Sequence, residues 1–388
     1  MSYVTVIPSM TEYSARFKEL SALDLKIIKA MCRLDVRNIS KLAKKMGVPQ
    51  QTLSYRVKRF DKLDLVRFRA VVNERMLGLK SYLVLATSPL GKEGSSSRAL
   101  TCFPLWRYLA IVDGWKHGSY VRYAIPPDKE KDLEGFLDEL VKRELITDYK
   151  MFPVTGPNYP LLNLDFYIEK KAGIPIFNWK KWITDYESFR EEKISEFADF
   201  KKAKFDLYDL IILRCLEINA RMKLRKVARE MAQLLGEEQH KRFIPLVSRR
   251  LKQNIIPQGL IKSYRVYLFP NPANNMIFLI YYINFANSSS LRKFIYGLSL
   301  LPYNTAYQKV LGKDELFVHF AIPTYEYSNM RKMLFELGEM GYLKNANILL
   351  GDLERATWDN VALYQMFKDG AWNFSYGIAV KMLEKVFR

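Results

Sequence analysis

The chain has 388 residues, which is too long for one ordinary hydrophobic core and favours several domains. Hydrophobic residues make up 49% and aromatic residues 14%, which excludes a chain that is disordered throughout. The net charge of +20 favours a polyanionic partner, either nucleic acid or an anionic membrane surface, while the longest apolar run, MIFLIYYI, is far too short to span a membrane.

The amino terminus, MSYVTVIPSM, lacks a basic region followed by an apolar one, so we expect a soluble, cytoplasmic protein with no membrane partner. The cysteines show neither CxxC spacing nor nearby histidine clusters, which favours reduced, structural thiols over a disulfide scaffold or a zinc site. They are Cys32, Cys102 and Cys215. The sequence also lacks HExxH, nucleophile-elbow and phosphate-loop motifs, so we expect no bound metal and no cofactor.

The first predicted elements are three helices and a strand. Ser21 caps a helix whose apolar residues recur every three or four positions, and Ser40 begins a shorter helix that Gly47 ends. Pro49 suits the first turn of a third helix, which buries one face formed by Leu53, Val57 and Phe60. The stretch LVRFRAVVN then alternates like a strand. This order predicts a helix-turn-helix followed by a hairpin wing.

The next elements read strand, helix, strand, strand, helix, strand. The strands are SYLVLAT, FPLWRYLAIV, the second arm of the hairpin VDGWKHGSYVRYAI, and DYKMFPV, and a helix runs from about Asp128 to Glu144. Asp113 and Gly114 form a dipeptide that is typical of hairpin turns. This order predicts a ferredoxin-like βαββαβ domain.

The same series of elements recurs in the second half. LDLKIIKAM, from Leu23, matches YDLIILRCL, 185 residues later, and YVRYAIPPDKE, from Tyr120, matches FVHFAIPTYEY, 197 residues later. The matches never change order, so we interpret the chain as a tandem duplication with an α+β fold. The predicted domains are winged helix 1 (1–75), ferredoxin-like domain 1 (76–156), tail segment 1 (157–203), winged helix 2 (204–270), ferredoxin-like domain 2 (271–352) and tail segment 2 (353–388).

Each predicted tail segment is aromatic and basic, with FNWKKW in the first and WNFSYG in the second. Aromatic side chains interleaved with lysine can bind nucleic acid. Packing of each tail on the domain that precedes it explains the same composition.

The positive charge is concentrated in two windows. Residues 33–69 carry a net charge of +8 and residues 221–265 carry +9, which together are nearly all of the +20. Both windows coincide with a predicted helix-turn-helix, whose second helix lies in the major groove while surrounding cations neutralise phosphates. The charge distribution therefore favours double-stranded DNA as the partner, although an ordinary solvated helix face explains any single residue equally well.

Side chains on the outer face of each third helix are the candidates for base contacts, because Gln pairs with adenine and Ser bonds several base edges. The predicted base-reading residues are Gln50, Gln51, Ser54, Tyr55, Lys58, Arg242, Ser248, Arg249 and Lys252. The predicted phosphate and wing residues are Lys44, Lys45, Arg56, Arg59, Arg67, Arg69, Arg250 and Arg265.

The segment LSALDLKIIKAMCRLDVRNISKLAKKMGVPQQTLSYRVKRFDKLDLVRFRAVVN resembles the winged helix of the Lrp/AsnC regulators. The resemblance lies in the leucine-aspartate pair near the start and in TLSYRVKRF of the recognition helix. In that family a ferredoxin-like ligand-sensing and dimerisation domain follows. Asp64 stands where the family usually has glycine, and LLGEEQHKRF lengthens the second helix-turn-helix turn.

The fused arrangement resembles tandem regulators of archaea, some of which act beside the TATA-binding protein or transcription factor B. The resemblance implies a sequence-specific DNA-binding regulator that acts as a covalent pseudo-dimer, with basal initiation factors as further partners. It implies no enzymatic activity. Pairing of two fused chains into a homodimer stays open.

Two other functions fit the same architecture. Sirohaem decarboxylases resemble this family and use histidine and basic residues on a tetrapyrrole, a role that His117 fits. A scaffold that binds initiation factors without DNA is the third reading. The strongly basic winged helices favour the regulator over both.

Overall fold

The computed structural model describes residues 17–33, 36–63, 66–169, 177–194, 203–268, 275–352, 356–358 and 364–387. The amino-terminal stretch, Asp64 and parts of both tail segments, on which predictions were made, lie outside these residues. We call the residues up to 203 the first half and the remaining residues the second half.

The described residues form thirteen helices and thirteen strands, and the first ten elements follow the same order in each half. The first half contains α1 Ala22–Arg33, α2 Ile39–Met46, α3 Gln50–Leu63, β1 Arg67–Val72, β2 Lys80–Thr87, α4 Glu93–Leu100, β3 Trp106–Gly114, β4 Gly118–Ile125, α5 Glu130–Lys142, β5 Asp148–Val154, α6 Asp165–Glu169 and α7 Trp179–Asp185. The second half contains α8 Leu207–Ile218, α9 Leu224–Leu234, α10 Phe243–Arg250, β6 Ile261–Tyr267, β7 Met276–Phe285, α11 Ser288–Leu298, β8 Asn304–Lys309, β9 Glu315–Pro323, α12 Tyr327–Glu339, β10 Leu343–Gly351, β11 Thr357–Trp358, β12 Phe367–Lys368, β13 Ala371–Trp372 and α13 Tyr376–Val386. The predicted fold class, two successive sets of helix-turn-helix and ferredoxin-like elements, is confirmed.

Local sequence signals account for the helix ends. The backbone N–H of Asp24 bonds the Ser21 hydroxyl at 3.3 Å, and the Asp24 carboxylate accepts from the Ser21 N–H at 2.8 Å, which closes the start of α1. Gly47 ends α2 at φ +63°, a conformation that favours glycine. One prediction was off by two residues: Asn38, and not Ser40, caps α2, because its side chain accepts from the Lys41 N–H at 3.0 Å.

The structure differs from the predicted hairpin wing. β1 pairs antiparallel with β6 of the other half, with Arg67 opposite Tyr267 and Arg69 opposite Arg265. Each single strand thus completes its hydrogen bonds with its counterpart instead of with a second strand from its own half. We call this pair of strands the ribbon, and α1 packs on β6 while α8 packs on β1.

The two helix-turn-helix modules share one hydrophobic core. Arg37 donates to the carbonyl oxygens of Ala220 and Met222, at 2.7 and 2.8 Å. Arg221 makes the reverse connection, to the carbonyl of Val36 and to the Asp61 carboxylate. The modules are therefore fixed relative to each other by burial and by reciprocal arginine contacts.

The ferredoxin-like elements of both halves build one sheet, in the order β5-β2-β4-β3-β10-β7-β9-β8. β3 and β10 join the halves at the centre of this order. At the two outer ends of the sheet, the chain after β5 meets β8, where the Thr155 N–H bonds the Lys309 carbonyl at 2.8 Å. The two halves thus meet at the centre of the strand order and again at its outer ends. Their inner faces enclose a shared core.

The tail segments pack on the opposite half, not on the preceding domain as one prediction held. α7 packs against α12, and its Trp179, Trp182 and Ile183 enter the core of the second half. α13 packs against α4 and α5, and Leu383 of this helix and Phe374 just before it enter the core of the first half. This reciprocal exchange ties the two ferredoxin-like units together.

Candidate functional site in the interior between the two sheet halves

The repeated phrase YVRYAIP and FVHFAIP forms the middle of β4 and β9. Side chains on a strand alternate between its faces, so Tyr120 and Arg122 share one face and Phe317 and His319 share the other strand's equivalent face. Tyr120 and Phe317 both belong to the core enclosed by the two halves of the sheet. Their ring centroids lie 6.0 Å apart. The repeated strands therefore face each other across the interior.

Tyr120 is the hub of a polar cluster in this interior. Its hydroxyl donates to Oε1 of Gln308 at 3.0 Å, and its oxygen lies 2.8 Å from Nε2 of His319. With the phenol proton committed to Gln308, the phenol oxygen accepts from the Nε2–H tautomer of His319. Burial, together with the smaller effects of the charges of Arg265 and Arg122, lowers the pKa of His319 to about 3, so the imidazole is neutral at pH 7.

Several side chains around His319 keep some accessible surface although they lie within the fold, and we call the space that they border the recess. Tyr108, Arg265 and His319 are each only partly buried. Burial is nevertheless the largest influence on the pKa of each, since the surrounding protein strongly desolvates them. Groups that are enclosed by protein and still keep accessible surface lie on the wall of a concavity. The rings of Tyr108 and Phe278, also partly buried, flank the imidazole at centroid distances of 5.9 and 5.6 Å.

Arg265 brings positive charge from the ribbon into this recess. Its guanidinium carbon lies 4.1 Å from the ring centroid of Tyr159 and 4.7 Å from that of Tyr267. Across the ribbon it faces Arg69, and like charges opposite each other are unfavourable on their own. Within the described part of the chain, no carboxylate forms an ion pair with Arg265. This combination favours an anion at the site.

Tyr267 lies between Arg69 and Arg265 of the ribbon. Arg69 donates from Nη1 to its hydroxyl oxygen at 3.0 Å. Burial by itself raises the pKa of this phenol, but the charges of Arg265 and Arg69 outweigh burial and bring the pKa below its ordinary value. The two guanidinium groups therefore favour negative charge on the phenol oxygen at this end of the recess.

Arg122, in contrast, has an internal counter-ion. Its guanidinium forms an ion pair with Glu74, and the same carboxylate accepts from the Ser81 hydroxyl. Arg122 and Glu74 are both buried. The pair is therefore largely neutral towards a ligand, and Arg265 is the better anion-binding group.

The residues predicted to read bases lie on the outer surface of the helix-turn-helix modules. Gln50, Gln51, Lys58 and Tyr55 are exposed on α3, Tyr55 to 71%, and Ser54 is half-buried. Of the predicted residues in and around α10, Arg242, Arg249 and Lys252 are exposed and Ser248 is half-buried. Lys44 and Lys45 are exposed on α2. Contact of these side chains with DNA stays a prediction.

Several predicted phosphate contacts are engaged within the protein. Arg56 and Arg59 bond the buried Asp24 carboxylate at 2.9 and 3.5 Å. In the second half Arg250 bonds the carboxylates of Asp206 and Asp209, at 2.6 and 3.3 Å. The remaining predicted residues of this kind lie on the ribbon: Arg67, Arg69 and Arg265. Arg56, Arg59 and Arg250 therefore brace helices and Arg265 borders the recess, which the pattern of charge in the sequence does not reveal.

His117, the histidine named for a tetrapyrrole site, lies on the outer turn between β3 and β4. Its side chain is 35% exposed and its Nε2 lies 2.7 Å from Glu93. The histidine in the recess is His319, which the sequence analysis left unassigned. The repeat contained a signal that could have identified His319, because this residue has the same strand phase as Tyr120 and Arg122.

No family model matches the sequence, and no curated protein is significantly similar to it. Among the described residues, no group of three or more His, Cys, Asp and Glu side chains could hold a metal ion. In the same residues no helix has the length and apolar character needed to cross a membrane.

Solved structures are similar to the chain over two different extents. The sirohaem decarboxylase NirDL, in complex with an iron-uroporphyrin III analogue, covers 95% of this chain and 100% of its own, with 12% identity and a TM-score of 0.50. A transcriptional regulatory protein of the AsnC family from Pyrococcus furiosus covers 34% of this chain and 88% of its own, with 19% identity and a TM-score of 0.27. E. coli AsnC covers 37% of this chain and 96% of its own, with 14% identity and a TM-score of 0.26.

These comparisons correct the sequence-based expectation. The expectation that the chain has no enzymatic activity is contradicted, because a solved structure that matches 95% of the chain is an enzyme. At 12% identity that match shows the fold alone. The regulators match only part of the chain, and none of these structures supports contact with basal initiation factors.

Proposed function

We propose that the chain is an enzyme that binds a carboxylated tetrapyrrole of the sirohaem type in the recess and removes a carboxyl group from it as CO2. The observation that carries this proposal is the combination of a neutral, partly accessible imidazole with a guanidinium that has no carboxylate partner in the described residues. The whole-chain similarity to a sirohaem decarboxylase supports the architecture, and the recess supports the chemistry.

The recess offers complementary groups for such a substrate. The rings of Tyr108 and Phe278 present apolar faces on which a flat macrocycle can stack. Arg265 supplies a fork of N–H donors that fits a carboxylate. A decarboxylase substrate carries at least one carboxylate, so binding would supply a counter-charge to the guanidinium of Arg265.

The proposed reaction is redox-neutral. The bond between the carboxyl carbon and its neighbour breaks, CO2 leaves, and the electron pair stays on the neighbouring carbon, which takes up a proton. His319 is the group placed to deliver that proton. A substrate carboxylate beside the imidazole raises its pKa, because an opposite charge favours the protonated form. Substrate binding would thereby convert the neutral imidazole into the acid that the reaction needs.

The proposal is tested by titrating the purified chain with sirohaem, following the Soret band and measuring CO2 release. We expect a Soret shift and turnover in the wild type, and at least tenfold weaker binding in His319→Ala and Arg265→Ala. His117→Ala is the matched control, since this surface histidine lies outside the recess. Absence of both a Soret shift and CO2 release in the wild type would refute the proposal.

A second candidate function is double-stranded DNA binding by the helix-turn-helix modules. It is favoured by the exposed face of α3, on which Gln50, Gln51, Tyr55 and Lys58 lie together with no ion pair to Lys58 in the described residues. Binding that weakens steeply as salt rises, and that Lys58→Ala with Tyr55→Ala reduces, is the expected result. Retention of full affinity in that double variant would remove α3 from the proposed interface.

A further inference from the structure

The two halves contribute different residues to equivalent positions of the interior. In the first half, Tyr108 pairs with Arg122 and Ala110 pairs with Tyr120 across β3 and β4. In the second half, Ala306 pairs with His319 and Gln308 pairs with Phe317 across β8 and β9. The strand register thus makes Tyr120 equivalent to Phe317 and Arg122 equivalent to His319. At all four positions the chemical character changes between the halves.

The hydrogen bonds of the polar cluster cross from one half to the other. Tyr120 of the first half bonds both Gln308 and His319 of the second half. The equivalent contacts with the halves exchanged would join Phe317 to Ala110 and to Arg122. Neither can form a hydrogen bond, because Phe317 has no hydroxyl group. The cluster therefore exists in one orientation only.

The two halves also differ in how the basic side chain at the equivalent position is paired. Arg122 is neutralised by Glu74 from its own half, whereas His319 has a phenol as its hydrogen-bond partner. The Gln308 side chain is 4% exposed, and its Nε2 has no hydrogen-bond partner among the described residues. Buried donors normally have a hydrogen-bond acceptor, so a ligand oxygen near His319 would provide the acceptor that this amide nitrogen needs.

We infer that the interior holds one asymmetric reaction centre per chain, which binds one tetrapyrrole molecule. In this centre the second half supplies the proton-delivering imidazole of His319. The first half supplies Tyr120, a positioning residue that fixes the imidazole. This inference rests on the proposed function and adds its stoichiometry and the division of labour between the halves.

Stoichiometry is the direct test. The full chain at a concentration well above the dissociation constant is titrated with sirohaem, and the Soret amplitude is followed. We expect a sharp break at one equivalent per chain. A break at two equivalents would refute the single centre and leave the proposed function standing, whereas no Soret change at any ratio would refute both.

Two variants test the division of labour. His319→Arg gives the second half the residue that stands in the first half, and we expect at least a tenfold loss of affinity with no second binding event. Tyr120→Phe keeps the ring and removes the hydroxyl, so we expect binding at one equivalent with a shifted pH midpoint of the Soret change. A Tyr120→Phe protein that is less stable but titrates at the wild-type pH midpoint would show that Tyr120 is structural only. His117→Ala serves as the control for both measurements.

Discussion

Trp182 donates from its indole Nε1 to the carbonyl oxygen of Gly297 at 3.1 Å, which fastens the first-half tail to helix α11 of the second half. The contact depends on the absence of a side chain. A Cβ atom built on Gly297 would lie 2.3 Å from Cζ2 of Trp182, well inside the van der Waals limit. The exchange of tails thus relies on one glycine in an otherwise ordinary helix.

Gly297→Ala should displace α7. We expect the free energy of unfolding in urea to fall by about 1–3 kcal/mol, as for other overpacked sites, and protease cleavage near α7 to accelerate. Gly338→Ala on α12 is the matched control, because nothing lies within 4 Å of its Cβ position. In an open helical position alanine should leave stability unchanged or raise it by up to about 1 kcal/mol. Equal behaviour of the two variants would contradict the packing described here.

Glu326→Gln tests the second anchor of the same tail. The buried carboxylate accepts from Nε1 of Trp179 at 2.6 Å, the Tyr303 hydroxyl at 2.7 Å and Nδ2 of Asn329 at 3.0 Å. A glutamine amide would turn a donor towards these donors, so we expect a loss of about 2 kcal/mol or more in urea unfolding. Glu191→Gln, at the surface, should change stability by less than about 0.5 kcal/mol. A neutral result for Glu326→Gln would count against the anchoring role.

Stability should fall at acidic pH because of His319. Its pKa is about 3 in the folded chain, while an unfolded histidine titrates near 6.5. Between these values the unfolded chain binds a proton that the folded chain does not, so stability decreases as pH falls, with a slope approaching about 1.4 kcal/mol per pH unit. His319→Gln should flatten this part of a urea-unfolding profile.

His117 serves as a control, because its effect on the stability of the fold depends on pH in the opposite direction. The hydrogen bond to Glu93 is the largest influence that raises the pKa of His117. Its contribution to stability is therefore complete below the unfolded pKa and is lost as pH rises through the folded one. His117→Gln should leave the acidic slope in place. If His319→Gln kept that slope too, burial of a neutral imidazole would not be its source.

Arg56→Ala and Lys58→Ala should separate bracing of the helix from contact with DNA. Arg56 bonds the fully buried Asp24 carboxylate, so its loss should cost about 1–3 kcal/mol in unfolding experiments. Lys58 is exposed, and its replacement should change stability by less than about 0.5 kcal/mol. Any loss of DNA affinity in Lys58→Ala would then report a contact. Equal stability of the two variants would contradict the bracing role of Arg56.

Local patterns in the sequence were sufficient for the elements of each half. The spacing of Leu53, Val57 and Phe60 predicts the buried face of α3, and all three are buried. The βαββαβ order follows in the same way from alternation and turn residues such as Asp113 and Gly114. These features depend on neighbours within a few residues, which is the range over which periodicity and turn chemistry act.

Only the tertiary structure decided which partners cover the unpaired strand edges and the apolar faces of the tail segments. β1 reads as one arm of a wing but pairs with β6, and each aromatic tail crosses to the opposite half. Arginines that look alike in sequence differ in role, since Arg56 braces a helix, Arg265 lines a recess and Arg249 faces solvent.

The amino-acid sequence by itself determined a repeated α+β chain and showed that Tyr120, Arg122, Phe317 and His319 occupy matching places in its two parts. Only the tertiary structure decided that these strands face each other and that Tyr120 bonds His319. The physical reason is that strand phase is local, whereas the partner across an interior depends on how two distant sheets close on each other. Because of this closure, two similar strand sequences meet in one polar cluster that has no symmetric copy among the described residues.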